Sequence, residues 1–256
     1  MFYYYAFIFF LFGLIIGSFL NVCIYRIPMK QTIVTVPSHC MSCNHQLAWC
    51  DLIPLFSWLF LGGKCRYCNA KISAQYPIIE FLNGAIYLAI YLYFGIGSLT
   101  QTLSVILFCA FASALLTLSV IDIYHQEIPD GINLFIIVIA VIFTIIDRQN
   151  WLSHIIGFFA ISVPLLIIAL ILPNGMGMGD VKLYASCGLF IGWELTVLSL
   201  VLASILASIG GIALIVIKKV KKGFKSHIPF GPFIALSILI CMFFGDFIID
   251  WYLGFF

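Results

Sequence analysis

Gly175-Met176-Gly177-Met178-Gly179-Asp180 sets one acid between two strongly apolar runs, in a 256-residue chain of which only 9% is charged. How that stretch is read decides the fold. In a soluble domain it would be a Gly-rich turn carrying a solvated Asp. At the edge of lipid a carboxylate is costly, and its presence there points to function and to a partner. The alternating glycines give the backbone conformations closed to other residues and let another element approach closely. A short glycine motif is a weak signal alone, so the surrounding chain decides between the two readings.

Outward from the motif the composition is apolar. Hydrophobic residues make up 64% of the chain and the mean hydropathy is +1.18. These values exclude an ordinary soluble protein, although the length would fit one or two soluble domains. Residues 1–25, 81–121, 149–179 and 195–217 contain no Asp, Glu, Lys or Arg. About 20 apolar residues cross a bilayer as a helix, so an all-α polytopic membrane protein is expected. The runs suggest about eight transmembrane helices, over 3–25, 77–94, 99–121, 132–146, 151–172, a short one over 181–193, 195–217, and a last one ending near Asp250. The first run lacks a basic flank and a clear cleavage site and reads as a retained span.

Charge placement orients these spans. With the N-terminus outside, Arg26, Lys30, Lys64, Arg66, Lys71, Lys182, Lys218, Lys219, Lys221, Lys222 and Lys225 face the inside, and only Arg148 faces out. Eleven against one follows the positive-inside rule. Within the first span, Gly17-Ser18-Phe19-Leu20-Asn21 is a small, polar patch that would let a neighbouring helix pack closely; Asn21 could equally sit at the inner headgroups. Asp130, after Pro129, is a fair helix N-cap.

Residues 26–75 exchange the apolar run for polar residues, prolines and cysteines. About fifty residues make a poor hydrophobic core, so a staple is expected. Cys40-Met41-Ser42-Cys43 and Cys65-Arg66-Tyr67-Cys68 are two C-x-x-C pairs 21 residues apart. Two such knuckles complete a tetrahedral Zn²⁺ site, and four thiolates leave no open position for catalysis. The metal would fold the loop. His39, His45 and Cys50 are substitute ligands. Cys23, Cys109, Cys187 and Cys241 lie in or beside the apolar runs and read as small core residues.

The acid of the opening motif has a counterpart in Asp122, which ends an uncharged run of 41 residues. The topology puts both at similar depth on the inner side. Two carboxylates in a partly dry site cannot both ionise easily; one holds a proton while the other activates water. That pair hydrolyses peptides without metal or nucleophilic serine. Glu127 and Asp130 read as ordinary solvated loop acids. A transporter that relays ions through intramembrane acids is an alternative, as is a non-catalytic adaptor built on the zinc loop.

Several stretches in order resemble the type IV prepilin peptidase family of GxGD-type aspartyl proteases. They are Gly17-Ser18-Phe19-Leu20-Asn21 through Tyr25-Arg26-Ile27-Pro28, the doubled C-x-x-C loop, and Tyr76-Pro77-Ile78-Ile79-Glu80. They continue with Ile121-Asp122 followed by Ile128-Pro129-Asp130, Gly177-Met178-Gly179-Asp180-Val181-Lys182-Leu183, and Ile228-Pro229-Phe230-Gly231-Pro232. The resemblance implies that Asp122 and Asp180 are the catalytic pair. It implies prepilin or pseudopilin substrates, cut after a glycine on the cytoplasmic side, whose new N-terminus is methylated from S-adenosylmethionine. The expected division is a first transmembrane helix over 1–25, a cytoplasmic four-cysteine zinc loop and methyltransferase region over 26–75, and a protease domain over 76–256. Glu80 is a cofactor-site candidate by its place in the motif. The resemblance also implies the bacterial inner membrane, with the active site facing the cytoplasm. The expected partners are the pilin-like substrates and the bilayer, with no nucleic acid.

Overall fold

A computed structural model describes residues 2–172, 177–218 (backbone alone for 214–218) and 229–254. The first two residues of the opening motif, Gly175 and Met176, lie outside the described residues. So do His227, Ile228 and the basic residues Lys219, Lys221, Lys222 and Lys225. The described residues form ten α-helices and no strands, with only isolated bridges in the cysteine loop.

Two compact units make up the chain, Met1–Thr117 and Leu118–Phe256. The first holds α1 (Phe2–Arg26), the short α2 (Phe56–Phe60), α3 (Gln75–Phe94) and α4 (Leu99–His125) up to Thr117. α1 packs along α3. The close approach comes from glycines, as the small-residue patch suggested. A Cβ on Gly17 would lie 2.7 Å from the Glu80 Cα, and one on Gly13 would lie 2.7 Å from the Gly84 Cα. Asn21 is buried and donates to the Tyr76 carbonyl at 3.1 Å. Deeper in the pair, Asn83 donates to the Gly13 carbonyl at 2.7 Å, and Ser113 donates to Asn83 at 2.8 Å. Buried polar side chains thus find partners across helices, as an apolar surrounding requires.

The second unit continues α4 from Leu118 and adds α5 (Asp130–Ile146), α6 (Trp151–Ala160), α7 (Ser162–Ile171), α8 (Met178–Ile191), α9 (Trp193–Lys218) and α10 (Gly231–Leu253). α8 is its centre and touches α5, α6, α7, α9 and α10. Its Leu183, Tyr184, Ser186, Cys187 and Phe190 are fully buried. The α6–α8 contact is backbone on backbone, since a Cβ on Gly157 or Gly188 would collide with the other's carbonyl.

Among the described residues, six helical spans, with the α6–α7 stretch counted as one, are long and apolar enough to cross a membrane, against the eight expected. The other two expected spans are α5, of 17 residues, and α8, of 14. At about 1.5 Å per residue these reach roughly 26 Å and 21 Å, short of a bilayer core of about 30 Å. Protein surrounds α8, so it need not match lipid along its own length. The fifth expected span is two ten-residue helices, α6 and α7. Pro164 has no N–H for the Ala160 carbonyl, which breaks the helix there, and Ser162 turns its hydroxyl back to the Phe158 carbonyl. Cys23, Cys109, Cys187 and Cys241 are buried, as expected of core residues.

Candidate active site and metal centre

α4 runs one turn past the uncharged stretch, so Asp122 lies on a helix and not in the inner loop where its sequence context put it. It is only 6% exposed. Its Oδ2 accepts the backbone N–H of Gly231, the first residue of α10, at 2.9 Å. A helix N-terminus offers free N–H groups and a positive dipole end to an anion. A side chain at 231 would spoil this, because its Cβ would lie 2.6 Å from that same Oδ2. Phe230-Gly231-Pro232 stands out in the sequence, but nothing local gives Gly231 this task. The one available signal is a Gly-Pro pair opening an apolar helix.

Asp180 stands in the first turn of α8, after the extended Gly177 that caps it. It is half-buried, and the charge of Asp122 reaches it. The two aspartates singled out from the sequence thus lie in the same compact unit, within electrostatic reach of each other. The two described motif glycines differ in surroundings. A Cβ on Gly179 would press on Ile128 at 3.1 Å, whereas the nearest described atom to one on Gly177 is the Asp180 carboxylate, at an ordinary 3.6 Å. Asp130 is not an N-cap. It is the first helical residue of α5, after Pro129, and its exposed carboxylate pairs with Lys182 at 2.7 Å. Glu127 is exposed. One turn after Asp180, the buried Tyr184 hydroxyl has no partner among the described residues.

In the first unit, the two C-x-x-C knuckles are built alike. Cys40 N–H donates to the His45 carbonyl, and Asn44 N–H returns to the Cys40 carbonyl, at 2.9 and 2.8 Å. Cys65, Asn69 and Ala70 repeat the pattern at 2.9 and 3.0 Å. Asn44 and Asn69 take the left-handed conformation, with φ of 56° and 58°, which Asn tolerates better than most residues. The four Sγ atoms of Cys40, Cys43, Cys65 and Cys68 lie within 4.8 Å of one another, with Cys40 and Cys68 at 3.8 Å. Sulfurs held about 2.3 Å from a tetrahedral Zn²⁺ are about 3.8 Å apart, so this cluster fits a metal ion. His39, His45 and Cys50 are not in it. Backbone N–H groups of Ser42 and Cys43 lower the Cys40 thiol to about 6. Cys68 also receives a lowering contact, from Ala70, but desolvation and the other three sulfurs carry it up to about 12.

Beside the knuckles lies a cavity of about 380 Å³. Glu80 faces it from the first turns of α3, 7% exposed, with Oε2 accepting the Leu55 N–H at 2.7 Å. Arg26 and Asn21 line it from α1.

Comparison with known proteins bears on both sites. Residues 11–94 match the family model of the bacterial peptidase A24 N-terminal domain, and residues 109–212 that of the type IV leader peptidase family. The chain is 32% identical over 278 residues to the prepilin leader peptidase/N-methyltransferase of Aeromonas salmonicida (strain A449), covering 96% of this chain and 92% of that one. The chain belongs to the type IV leader peptidase family. The Bacillus subtilis (strain 168) prepilin leader peptidase/N-methyltransferase is 32% identical over 247 residues, covering 96% of this chain and 97% of its own. The Pseudomonas aeruginosa protein of the same name is 30% identical over 275 residues, covering 96% and 92%. No solved structure matches. As a type IV leader peptidase family member, the chain carries Asp122 and Asp180 inside one matched range, and Glu80 and the cysteine cluster inside the other. Gly231 lies outside both, so its place at the site comes from geometry alone.

Proposed function

We propose that this multi-pass membrane enzyme removes the basic leader of prepilins or pseudopilins, cutting after a glycine, and then N-methylates the new N-terminus. The observation that supports the proteolytic reading is that Asp122, near the end of α4, lies within electrostatic reach of Asp180, at the start of α8. One carboxyl of the pair holds a proton and the other is ionised. The ionised carboxylate takes a proton from water as the water oxygen attacks the scissile carbonyl carbon, and the protonated one gives its proton to the carbonyl oxygen. The tetrahedral diol then collapses. Its C–N bond breaks, and the leaving amine takes back a proton from the pair. Gly231 holds one Asp122 oxygen and so limits how that carboxylate can turn.

In this reading the activities divide along the chain into a first membrane helix over 1–25, a cytoplasmic loop over 26–75 serving methylation, and the protease over 76–256. Cys40, Cys43, Cys65 and Cys68 would hold Zn²⁺ as a structural ion, because four thiolates occupy every tetrahedral position. S-adenosylmethionine, when bound, supplies an electrophilic methyl group, and Glu80 faces the cavity that would receive it. The charge count supports an N-terminus outside the bacterial inner membrane and an active site facing the cytoplasm.

The test is mass spectrometry of a prepilin co-expressed with the enzyme, scoring leader loss and added methyl groups. Asp122→Asn and Asp180→Asn should each abolish cleavage while the protein remains inserted. Full cleavage by either variant would end the dyad reading.

A further inference from the structure

The stretch between the two knuckles of the cysteine loop is apolar where a soluble loop would be polar. Residues 52–63 carry no charge, and the nearest acid, Asp51, is tied to Arg66 at 2.7 Å. A short turn, Trp49–Leu52, packs beside α2. α2 itself has two sides. Trp58 lines the cavity and donates to the Ile72 carbonyl at 3.2 Å. Phe56, Leu59 and Phe60 do not line it, and they are 51%, 62% and 86% exposed; Trp49 is 81% exposed. The rings of Phe56 and Phe60, one turn apart, stack with centres 6.4 Å apart. The exposed groups thus form a patch, which a soluble protein rarely leaves open.

Two hydrogen bonds fix the level at which this patch stands. The Leu55 N–H, at the head of α2, donates to Glu80 at 2.7 Å, and the Gly63 carbonyl, just past its end, accepts the Ile72 N–H at 2.8 Å. Glu80 lies in the second turn of α3, a helix of 20 residues. At about 1.5 Å per residue such a helix is about 30 Å long, the whole thickness of a bilayer core. α3 has no length to spare, so its first turns must stand at the boundary between headgroups and acyl chains. α2, tied to that second turn, stands there too. Ile78 and Phe81, on either side of Glu80 in α3, are more than half exposed, so apolar surface is open at the same level. The charges of the loop agree with this place. Residues 26–75 hold five Lys and Arg but one acid, the paired Asp51. Lys64 and Lys71 are exposed and joined by a backbone bridge. Aromatic and leucine side chains beside a basic rim are the composition of a segment that lies in a membrane interface.

We propose that α2 and the turn before it form an interfacial anchor, which beds the cysteine loop on the bilayer surface where α1 ends and α3 begins. Trp49, Phe56, Leu59 and Phe60 enter the region between headgroups and acyl chains. Lipid is the occupant that both observations require, since α2 stands at the level of the boundary and the rim beside it is basic. A second copy of the chain would instead set one basic rim against another. The anchor concerns where the loop is held, so it stands whichever reaction the loop serves.

The test uses the full chain in vesicles of phosphatidylcholine and phosphatidylglycerol, with p-benzoylphenylalanine in place of Phe56 or of Phe60. Each change keeps an aromatic ring at an exposed position, and an unchanged unfolding temperature confirms the fold. Ultraviolet irradiation should add the mass of a phospholipid to the peptide that carries the probe, at both positions. A second readout needs no photoprobe. The fluorescence that Trp49→Phe removes should be quenched at least twofold when the phosphatidylcholine carries bromine near the glycerol end of its acyl chains. Absence of the lipid adduct at either position, or unquenched Trp49 emission, would place the patch in water and overturn the proposal. Adducts to a second copy of the chain in place of lipid would overturn it as well, and make the patch a protein interface.

Discussion

The hydrogen bond from Gly231 to Asp122 makes one backbone atom a determinant of the proposed dyad. Gly231→Ala places a methyl group 2.6 Å from the carboxylate oxygen, so either Asp122 turns away or α10 retreats. Leader cleavage in membranes should fall at least tenfold, with the metal content unchanged. Tyr184 calls for the opposite outcome. Its hydroxyl is buried without a partner among the described residues, and a polar group left unsatisfied costs about 1–3 kcal/mol. Tyr184→Phe keeps the ring and removes that cost, so thermal unfolding in detergent should show a gain of about 1 kcal/mol. Unchanged or lower stability would mean that the hydroxyl has a partner during unfolding measurements, such as an ordered water.

At the scale of elements, the glycine motif and the helix it opens have separate requirements. Gly177 caps α8 with ordinary extended dihedrals, and among the described residues a Cβ there meets nothing closer than 3.6 Å. Nothing among the described residues requires glycine at 177; in the proposed reaction, a substrate backbone approaching Asp180 would. Gly177→Ala should therefore change stability by less than about 0.5 kcal/mol, as surface substitutions do, while lowering cleavage of a co-expressed prepilin. Gly188, further along α8, is the reverse case. It meets the Gly157 backbone directly, and overpacking a close contact costs about 1–3 kcal/mol. Gly188→Ala should lower the unfolding temperature and reduce the yield of inserted protein, with the loss of activity following the loss of fold.

At the scale of the molecule, the cysteine loop stands apart in what holds it together. Its residues 31–36 and much of 41–46 are exposed, and little apolar core lies beneath them. The four sulfurs gather its two halves, which are also joined by the Arg66–Asp51 ion pair at 2.7 Å and the His45–Tyr67 ring contact. About one Zn²⁺ per chain is expected by elemental analysis, and the double change Cys43→Ser and Cys68→Ser should remove it. Chelation should open the loop to protease, since the binding energy of such a metal is also folding energy. Stoichiometric zinc in the double variant would count against the cluster.

What the sequence determined by itself was whatever is written locally. Uncharged runs announced a helical membrane protein, two C-x-x-C pairs announced the knuckles, and two acids stood out because their flanks were apolar. A helix in lipid or in the middle of a bundle is apolar on every side, so its sequence does not say which face meets which neighbour. For that reason α8 reads as one more short span, although five helices surround it. The contact of Gly231 with Asp122 joins residues 109 apart, the Asn21 bond to Tyr76 joins residues 55 apart, and Arg26 and Glu80 share a cavity from different helices. Only the tertiary structure decided these, because packing, and not local periodicity, selects which polar groups meet once the chain is folded.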